Sequence, residues 1–223
     1  MKKVLLLIFI LFSSVRLTAD DPVKDTNTFG REYFPFSDKV VLIYKSSFDE
    51  ASSKTEVKNN TVILENKSDD FIYRQKFEIR EDGLYISETY QKIKVILFIK
   101  VEKKVTYDKD LLKIPFPLKT GQQWSCNRTE YLDNGDSNKI AFSSKCVGAE
   151  EIQTLAGKFH TMKLESIIKS GDGSTNYVEE WIAPNIGLIK TKIRMEGGGF
   201  TGTIRDILGL GEINFELKEI KWK

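Results

Sequence analysis

Few residues of this 223-residue chain have types and spacings that could perform chemistry. His160, the one histidine, could act as a general base, but the Gly-x-Ser-x-Gly turn that presents a nucleophilic serine in many hydrolases does not occur. Zinc needs three or four His, Cys or carboxylate ligands, and a disulfide would consume both thiols. We therefore expect no catalytic residue, no metal and no cofactor. A hydrolase would require His160 to lie in a pocket beside a serine and an aspartate.

The segment SGDGSTNYVEE begins like a calcium-binding loop. Asp172, Ser174 and Asn176 offer oxygen ligands at alternate positions. However, Tyr177 stands where the loop needs glycine, and Ala183 stands where it needs a bidentate glutamate. The same Ser-Gly-Asp-Gly-Ser run is typical of a hairpin turn, which is the structure we predict here.

Cys126 and Cys146 are the two cysteines of the chain. Between them, Asp-Asn-Gly-Asp at 133–136 predicts a turn. A hairpin centred on Asp136 would place the two cysteines directly opposite each other, within disulfide reach. In an exported protein we expect this bridge to form and to stabilise the fold by about 3 kcal/mol. Two free thiols are the alternative, and the absence of Cys-x-x-Cys argues against redox chemistry. The same register puts six residues on one apolar face: Trp124, Cys126, Leu132, Ile140, Phe142 and Cys146.

Period-two alternation dominates the chain after its first residues. Apolar and polar residues alternate over 71–79, before a Glu-Asp-Gly turn, and again over 213–218. The run at 93–101 is apolar on both faces, as in a strand that is covered on both sides. Strands at this spacing predict an all-β, antiparallel fold, either a half-open barrel or a strongly curved sheet.

The stretch EEWIAPNIGLIKTK at 179–192 predicts a corner between two such strands. Trp181 would close the first strand and cap the core. Pro184 fixes φ at the first corner position, and Asn185 suits the second. Gly187 permits a backbone angle that its neighbours would resist. The stretch contains no nucleophile or base, so we interpret these residues as structural.

The first residues have the layout of a secretory signal peptide. Lys2 and Lys3 precede nine apolar residues at 4–12, a run too short to span a bilayer, and small or polar residues follow. We predict a signal-peptide helix at 1–19, cleaved after Ala19, and an exported protein, periplasmic or secreted. An uncleaved anchor is the alternative. No cysteine lies near the cleavage point, so we expect no lipid anchor.

Cleavage after Ala19 would change the formal charge from +2 to −1, because the leader contains three basic and no acidic residues. A near-neutral chain lacks the basic face that nucleic acids require. We therefore expect no nucleic acid as a partner.

We expect residues 20–32 to be flexible and residues 33–223 to form a single all-β domain. A weak internal repeat relates Phe34-Pro35-Phe36 to Phe116-Pro117-Leu118. It suggests two similar halves, 33–114 and 115–223. Proline at the entrance of a strand also explains each Phe-Pro pair locally, since proline lacks a ladder donor.

Three segments, FPLKTGQQW, LAGKFHTMKLE and EEWIAPNIGLIK, resemble a recurrent pattern in uncharacterised exported bacterial all-β proteins. The resemblance covers about residues 115–192. In outline the group is similar to the half-open barrel of bacterial lipoprotein carriers of the LolA and LolB type, which is an analogy of fold alone. It implies no catalytic residues. Cys126 replaces an aromatic residue of the pattern, which suggests that the disulfide is a local addition.

These observations predict a non-enzymatic exported protein whose partner is a lipid or other amphiphile bound inside the barrel. The segment GGGFTGTIRDILGLG could be a flap over the barrel mouth, although the same apolar residues could equally fill the core. The alternative function is a structural or interaction module of the envelope, with a filled core and a protein partner. The sequence does not indicate the oligomeric state. The candidate flap residues are Phe200, Ile204, Ile207, Leu208 and Leu210.

Overall fold

The computed structural model describes residues 30–47, 49–96, 99–198, 202, 205, 206, 209 and 211–223. The predicted leader at 1–19 and most of the segment predicted to be flexible lie outside the described residues. Within the described residues, no helix is long and apolar enough to cross a membrane.

The all-β prediction is confirmed. A short 3-10 turn at Arg31–Tyr33 precedes twelve strands. They are β1 (Val40–Ser46), β2 (Asp49–Lys58), β3 (Thr61–Lys67), β4 (Phe71–Arg80), β5 (Gly83–Ile96), β6 (Ile99–Pro115), β7 (Gln123–Leu132), β8 (Ser137–Thr154), β9 (Gly157–Ser170), β10 (Ser174–Ala183), β11 (Gly187–Gly197) and β12 (Glu212–Trp222).

The strands form one closed antiparallel barrel in which each strand pairs with its neighbours in sequence. Strand β1 pairs with β12 from Val40 opposite Trp222 to Ser46 opposite Phe215, which closes the barrel. The predicted half-open barrel or curved sheet is therefore wrong. Local alternation identifies strands, but it does not reveal that the first and last of them pair.

Consecutive antiparallel strands place their connections alternately at the two ends of a barrel. The connections β2–β3, β4–β5, β6–β7, β8–β9 and β10–β11 lie at the end where β1 begins, together with residues 30–39. We call this the covered end. The connections that follow odd-numbered strands leave from the opposite end.

Several predicted strands match the observed ones. The alternation over 71–79 corresponds to β4, and the Glu-Asp-Gly turn at 81–83 leads into β5. Near the C-terminus, Ile213 and Phe215 face the interior of the barrel, and Leu217 is fully buried. Period-two alternation was sufficient to identify these strands, because one face of each strand is buried.

The prediction of one continuous strand over 93–101 is wrong. Ile93 belongs to β5 and pairs with Val101 of β6, and Lys94 pairs with Lys100 in the same antiparallel ladder. The sequence contains no Gly, Pro, Asn or Asp between these positions. The usual signal for a change of strand direction is therefore missing.

The main hydrophobic cluster draws its fully buried residues from several strands, among them Val62, Leu84, Ile114 and Leu164. A smaller cluster contains Tyr44 of β1, Ala183 of β10, Ile189 of β11 and Leu217 of β12. The two Phe-Pro segments meet in the main cluster, to which both contribute aromatic side chains. The division into two similar halves stays a prediction.

Candidate functional site

The barrel encloses a cavity of about 410 Å³. Successive side chains of a strand point to opposite faces of the sheet, so every second residue can face the cavity. All twelve strands contribute to its lining, which is mainly apolar. Representative apolar lining residues are Leu42, Leu64, Phe77, Ile86, Leu111, Ile140, Phe142, Ile168, Val178, Ile193, Met195 and Phe215.

Residues 30–37 cover one end of this cavity. Their aromatic side chains reach inward: the ring of Phe36 lies 6.0 Å from that of Phe34 and stacks at 5.6 Å on Phe77. The backbone N–H of Asn185 donates to the carbonyl oxygen of Glu32 at 2.7 Å, which ties the segment to the β10–β11 turn. The N-terminal segment is thus part of the cavity wall.

Three charged residues line the cavity within the described part of the chain, and all three have partners. The Lys113 ammonium forms an ion pair and a hydrogen bond with Glu180, and both side chains are largely buried. Glu130 lies 3.6 Å from the Lys103 ammonium and accepts a hydrogen bond of 3.2 Å from Asn138. Buried charges need such partners, because unpaired ones are strongly disfavoured.

Three tyrosines add phenol groups to the lining. The Tyr44 hydroxyl donates to the carbonyl oxygen of Leu188 at 2.7 Å. Burial raises the pKa of Tyr107 to about 12 and moves the pKa values of Tyr44 and Tyr73 above their usual range. These phenols therefore stay neutral at physiological pH.

Four carboxamide side chains also line the cavity: Asn66, Gln75, Gln91 and Asn176. Of these four, the sequence singles out Asn176 alone, as an oxygen ligand in the calcium-like loop. A signal was present, since each occupies an inward position of its strand, where an apolar residue is expected. Strands β3 to β5 also carry many outward Lys and Glu residues, so single inward amides do not stand out.

Among the described strand pairs, β6 and β7 share the fewest ladder positions. These strands pair at three positions, from Val105 opposite Leu132 to Tyr107 opposite Glu130. Beyond this point, β7 stays paired with β8. Residues 107–110 of β6 have no ladder partner in β5, and the pairing with β5 resumes from Leu111 opposite Ile86 to Pro115 opposite Gly83. We call residues 108–115 of β6 and 123–129 of β7 the seam.

Side chains replace the missing ladder across the seam. The Trp124 indole N–H donates to the Lys113 carbonyl oxygen, and Arg128 Nε donates to that of Asp110, each at 3.2 Å. The Thr129 backbone N–H donates to the Asp108 carboxylate at 3.0 Å. These bonds satisfy backbone groups that an open sheet edge would leave unpaired.

The structure corrects the predicted cysteine pairing. Cys126 lies opposite Phe142, whereas Cys146 lies opposite Leu164, and both thiols are free. The β7–β8 hairpin is centred on Asn134 rather than Asp136, because Gly135 adopts a φ of 92° and its N–H donates to the Leu132 carbonyl oxygen.

The resulting register differs from the predicted one by four residues in the opposing strand. An even shift leaves side chains on the same face, so the inward residues of the hairpin were identified correctly. Ile140, Phe142 and Cys146 are buried, and Trp124, Cys126 and Leu132 are half-buried.

The corner segment lies between β10 and β11. The Ile186 N–H donates to the Ala183 carbonyl oxygen at 3.3 Å around Pro184, and Asn185 and Gly187 have φ values of 61° and 98°. A positive φ at the second turn position favours Asn or Gly.

Trp181, at the end of β10, was predicted to cap the core. Its sequence neighbours Glu180 and Ile182 line the cavity, so the indole lies on the outer face of the sheet instead. There it is 6% exposed and donates to the Glu150 carboxylate at 2.7 Å. The ammonium groups of Lys163 and Lys190 flank the ring at 5.2 and 5.8 Å from its centre.

All five candidate flap residues, Phe200, Ile204, Ile207, Leu208 and Leu210, lie outside the described residues. The strands that flank them are described: β11 ends at Gly197 and β12 begins at Glu212. The β11–β12 connection therefore leaves from the end opposite the covered end. The flap stays a prediction.

Among the remaining candidate groups, His160, Asp172 and Ser174 lie away from the cavity lining. The His160 side chain is 73% exposed, with Nδ1 at 3.7 Å from the Glu151 carboxylate. In the loop that begins like a calcium site, the Asp172 carboxylate accepts from the Ser174 N–H and hydroxyl, as in a turn. The described residues contain no group of three or more His, Cys, Asp or Glu that could hold a metal.

A protein-family model described as DUF3108-like matches residues 28–197. No protein of curated function matches the chain. A candidate lipoprotein from Parabacteroides distasonis is similar with a TM-score of 0.40 and 15% identity, over 88% of this chain and 100% of that chain. A candidate exported protein with a YmcC-like fold, from Bacteroides fragilis, has a TM-score of 0.44, 12% identity and the same coverages. The resemblance to LolA- and LolB-type carriers stays a prediction.

Proposed function

The chain belongs to the DUF3108-like family, and we propose that it is an exported, non-enzymatic protein that binds an apolar or amphiphilic ligand inside its barrel. The observation that carries this proposal is the interior cavity. Its volume of about 410 Å³ lies within the range of about 300–1,000 Å³ that is typical of small-molecule sites. Its lining is mainly apolar with a few polar groups, which is also typical of such sites.

The chemistry of the lining supports binding rather than catalysis. His160 and both cysteines lie outside it. The three charged groups that line it are engaged in ion pairs, and the tyrosines stay protonated. A general base or nucleophile needs a free, reactive ionisation state within reach of a substrate. The predicted leader at 1–19 supports export.

The first experiment is solvent extraction and mass spectrometry of protein purified gently from its native envelope, with a denatured sample as the control. We expect a stoichiometric lipid or other amphiphile, released on denaturation. Protein that stays free of ligand even after incubation with membrane extract would contradict the proposal. It would favour the alternative, an envelope module that acts through its outer surface.

A pair of variants localises the ligand. Leu64 lines the cavity, whereas its neighbour Ile63 on β3 does not. Leu64→Trp fills part of the cavity and should lower ligand occupancy several-fold. Ile63→Trp adds the same bulk on the other face of the strand and should leave occupancy unchanged. Equal losses in the two variants would place the ligand elsewhere.

A further inference from the structure

The four cavity carboxamides have no hydrogen-bond partner within the described part of the chain. No side-chain hydrogen bond of Asn66, Gln75, Gln91 or Asn176 occurs there, although each of these residues is partly shielded from solvent. Polar groups in protein interiors are usually paired, with protein or with a bound molecule. These amides are therefore unused donors and acceptors that face the cavity.

Strand register places two of the four amides, Asn66 and Gln91, in one row. Asn66 lies between Ser53 and Tyr73, and Tyr73 in turn lies opposite Gln91. All four of these residues line the cavity and form one row across β2 to β5. Directly opposed residues of a sheet have Cβ atoms about 4.5–5.5 Å apart, so their polar groups can act on one ligand.

A second polar row adjoins the first. Gln75 on β4 lies opposite Thr89 on one side and Leu64 on the other, and Leu64 lies opposite Thr55. We call the two rows together the amide wall. Its inward polar groups are Ser53, Thr55, Asn66, Tyr73, Gln75, Thr89 and Gln91.

Apolar residues flank the amide wall at both ends. Phe77 and Ile86, opposite each other on β4 and β5, lie on the side of the covered end. Phe71 and Ile93 form the corresponding pair on the other side. A ligand that fills this space must carry hydrocarbon next to its polar part.

The amide wall carries no net charge. A carboxamide offers both donors and an acceptor, which suits hydroxyl, ester and amide groups. An anionic or cationic head group would need a free counter-charge, but Lys113 is paired with Glu180 and Glu130 with Lys103. Burial of an unpaired ion is far more costly than burial of a neutral polar group.

We propose that the amide wall binds the uncharged, hydroxyl- or ester-bearing part of an acyl compound whose hydrocarbon chain packs against the apolar residues that flank the wall. This inference rests on the proposed function, which it makes more specific. It assigns a ligand class, neutral acyl compounds, and a binding role to Asn66, Gln75 and Gln91.

The test compares three probes by displacement and direct fluorescence titration at pH 8. They are monomyristoylglycerol, myristic acid with the same chain but an ionised head group, and the apolar dye N-phenyl-1-naphthylamine. Because the dye is apolar, its affinity reports binding to the cavity without hydrogen bonds to the amide wall. We expect the wild-type protein to bind the monoacylglycerol about tenfold or more tightly than the fatty acid. A factor of about ten corresponds to the free energy of about one hydrogen bond.

The matched variant is Asn66→Leu/Gln91→Leu, which replaces two inward amides with apolar side chains of similar size. Its affinity for monomyristoylglycerol should fall about tenfold or more, while dye affinity stays within about twofold. The control, Glu65→Leu/Lys92→Leu, changes two outward neighbours on the same strands and should keep the wild-type preference. Circular dichroism and the melting temperature report whether each variant folds.

Two outcomes would overturn the inference. One is equal or tighter binding of the fatty acid by the wild-type protein, which does not depend on any variant folding. The other is a folded Asn66→Leu/Gln91→Leu variant that retains the preference for the monoacylglycerol. If neither the dye nor a lipid binds the wild-type protein, the proposed function itself fails.

Discussion

Two neighbouring parts of the barrel wall are closed in different ways. Strands β8 and β9 pair continuously from Ile140 opposite Ser170 to Thr154 opposite Gly157, with one bulge after Cys146. Strands β6 and β7 pair briefly and are then joined across the seam by side chains, such as Trp124 and Arg128. A closed topology therefore does not imply a wall of uniform strength.

This difference has a physical consequence. A backbone ladder is broken cooperatively, because each bond supports the next. Side-chain bridges can open one at a time, and low-energy openings of a native protein concentrate in such regions. The seam is the part of the described wall where we expect local opening.

The largest effect is expected in the laddered wall. Leu164 of β9 is 1% exposed and belongs to the main hydrophobic cluster. Leu164→Ala should lower the free energy of unfolding by about 2–5 kcal/mol, because it leaves a cavity in the core. Denaturant titration would measure this loss.

The control for this prediction is Glu165→Ala, at the next residue on the outer face of β9. We expect it to change stability by less than about 0.5 kcal/mol. A small loss for Leu164→Ala would contradict the view that this wall forms the rigid part of the barrel.

An intermediate effect is expected in thiol reactivity, because the two cysteines lie in the two regions. Cys126 is half-buried at the seam, and burial raises its pKa. Cys146 is fully buried, and burial raises its pKa to about 11. Reactivity requires the thiolate and access to it.

Under native conditions, iodoacetamide should therefore modify Cys126 well before Cys146, which should react at the rate of global unfolding. Peptide mass spectrometry of time points distinguishes the two sites, and the single variants Cys126→Ser and Cys146→Ser confirm each assignment. Equal rates at both sites would show that the seam opens no more readily than the β8–β9 wall.

The smallest effect is a pH dependence of the seam. The Thr129 backbone N–H, helped by that of Lys109 and by the nearby Arg128, lowers the pKa of the Asp108 carboxyl below its ordinary value of 3.8. A lowered pKa in the folded state stabilises the protein above pH 3.8, and this contribution is lost as the pH falls through the folded-state pKa.

Asp108→Asn keeps an oxygen acceptor for Thr129 but does not titrate. Unfolding curves between about pH 6 and about pH 2 should show a smaller acid-induced loss of stability in this variant than in the wild-type protein. Asp133→Asn, in the β7–β8 turn away from the seam, is the matched control. Identical acid sensitivity of the wild-type protein and Asp108→Asn would contradict the prediction.

The comparison also shows how far the sequence could predict the fold. The hairpin around Cys126 and Cys146 was assigned its correct inward face, although its register was wrong by four residues. Side-chain direction repeats every two residues, so a register error of an even number of residues leaves the predicted inward face unchanged. The true register depends on Gly135 and the bond between its N–H and the Leu132 carbonyl oxygen, a detail of turn geometry.

The candidate site was predictable to a lesser degree. An apolar interior follows from alternating strands, and the barrel contains a cavity with a mainly apolar lining. Binding of a ligand there stays a prediction. The amide wall was missed, because Asn66, Tyr73 and Gln91 are far apart in sequence and become a row only when β3, β4 and β5 pair. The pairing of Ile93 with Val101 was missed for a different reason, because no turn residue marks the change of strand direction there.

By itself, the sequence determined that the chain is built from antiparallel strands and which face of most strands is buried, because both follow from the local alternation of apolar and polar residues. The tertiary structure decided the closure between β1 and β12, the register of β7 against β8, the seam and the amide wall. The closure, the seam and the amide wall depend on which strands share hydrogen bonds, and the register of β7 against β8 depends on the geometry of one turn. The alternation of apolar and polar residues contains neither kind of information.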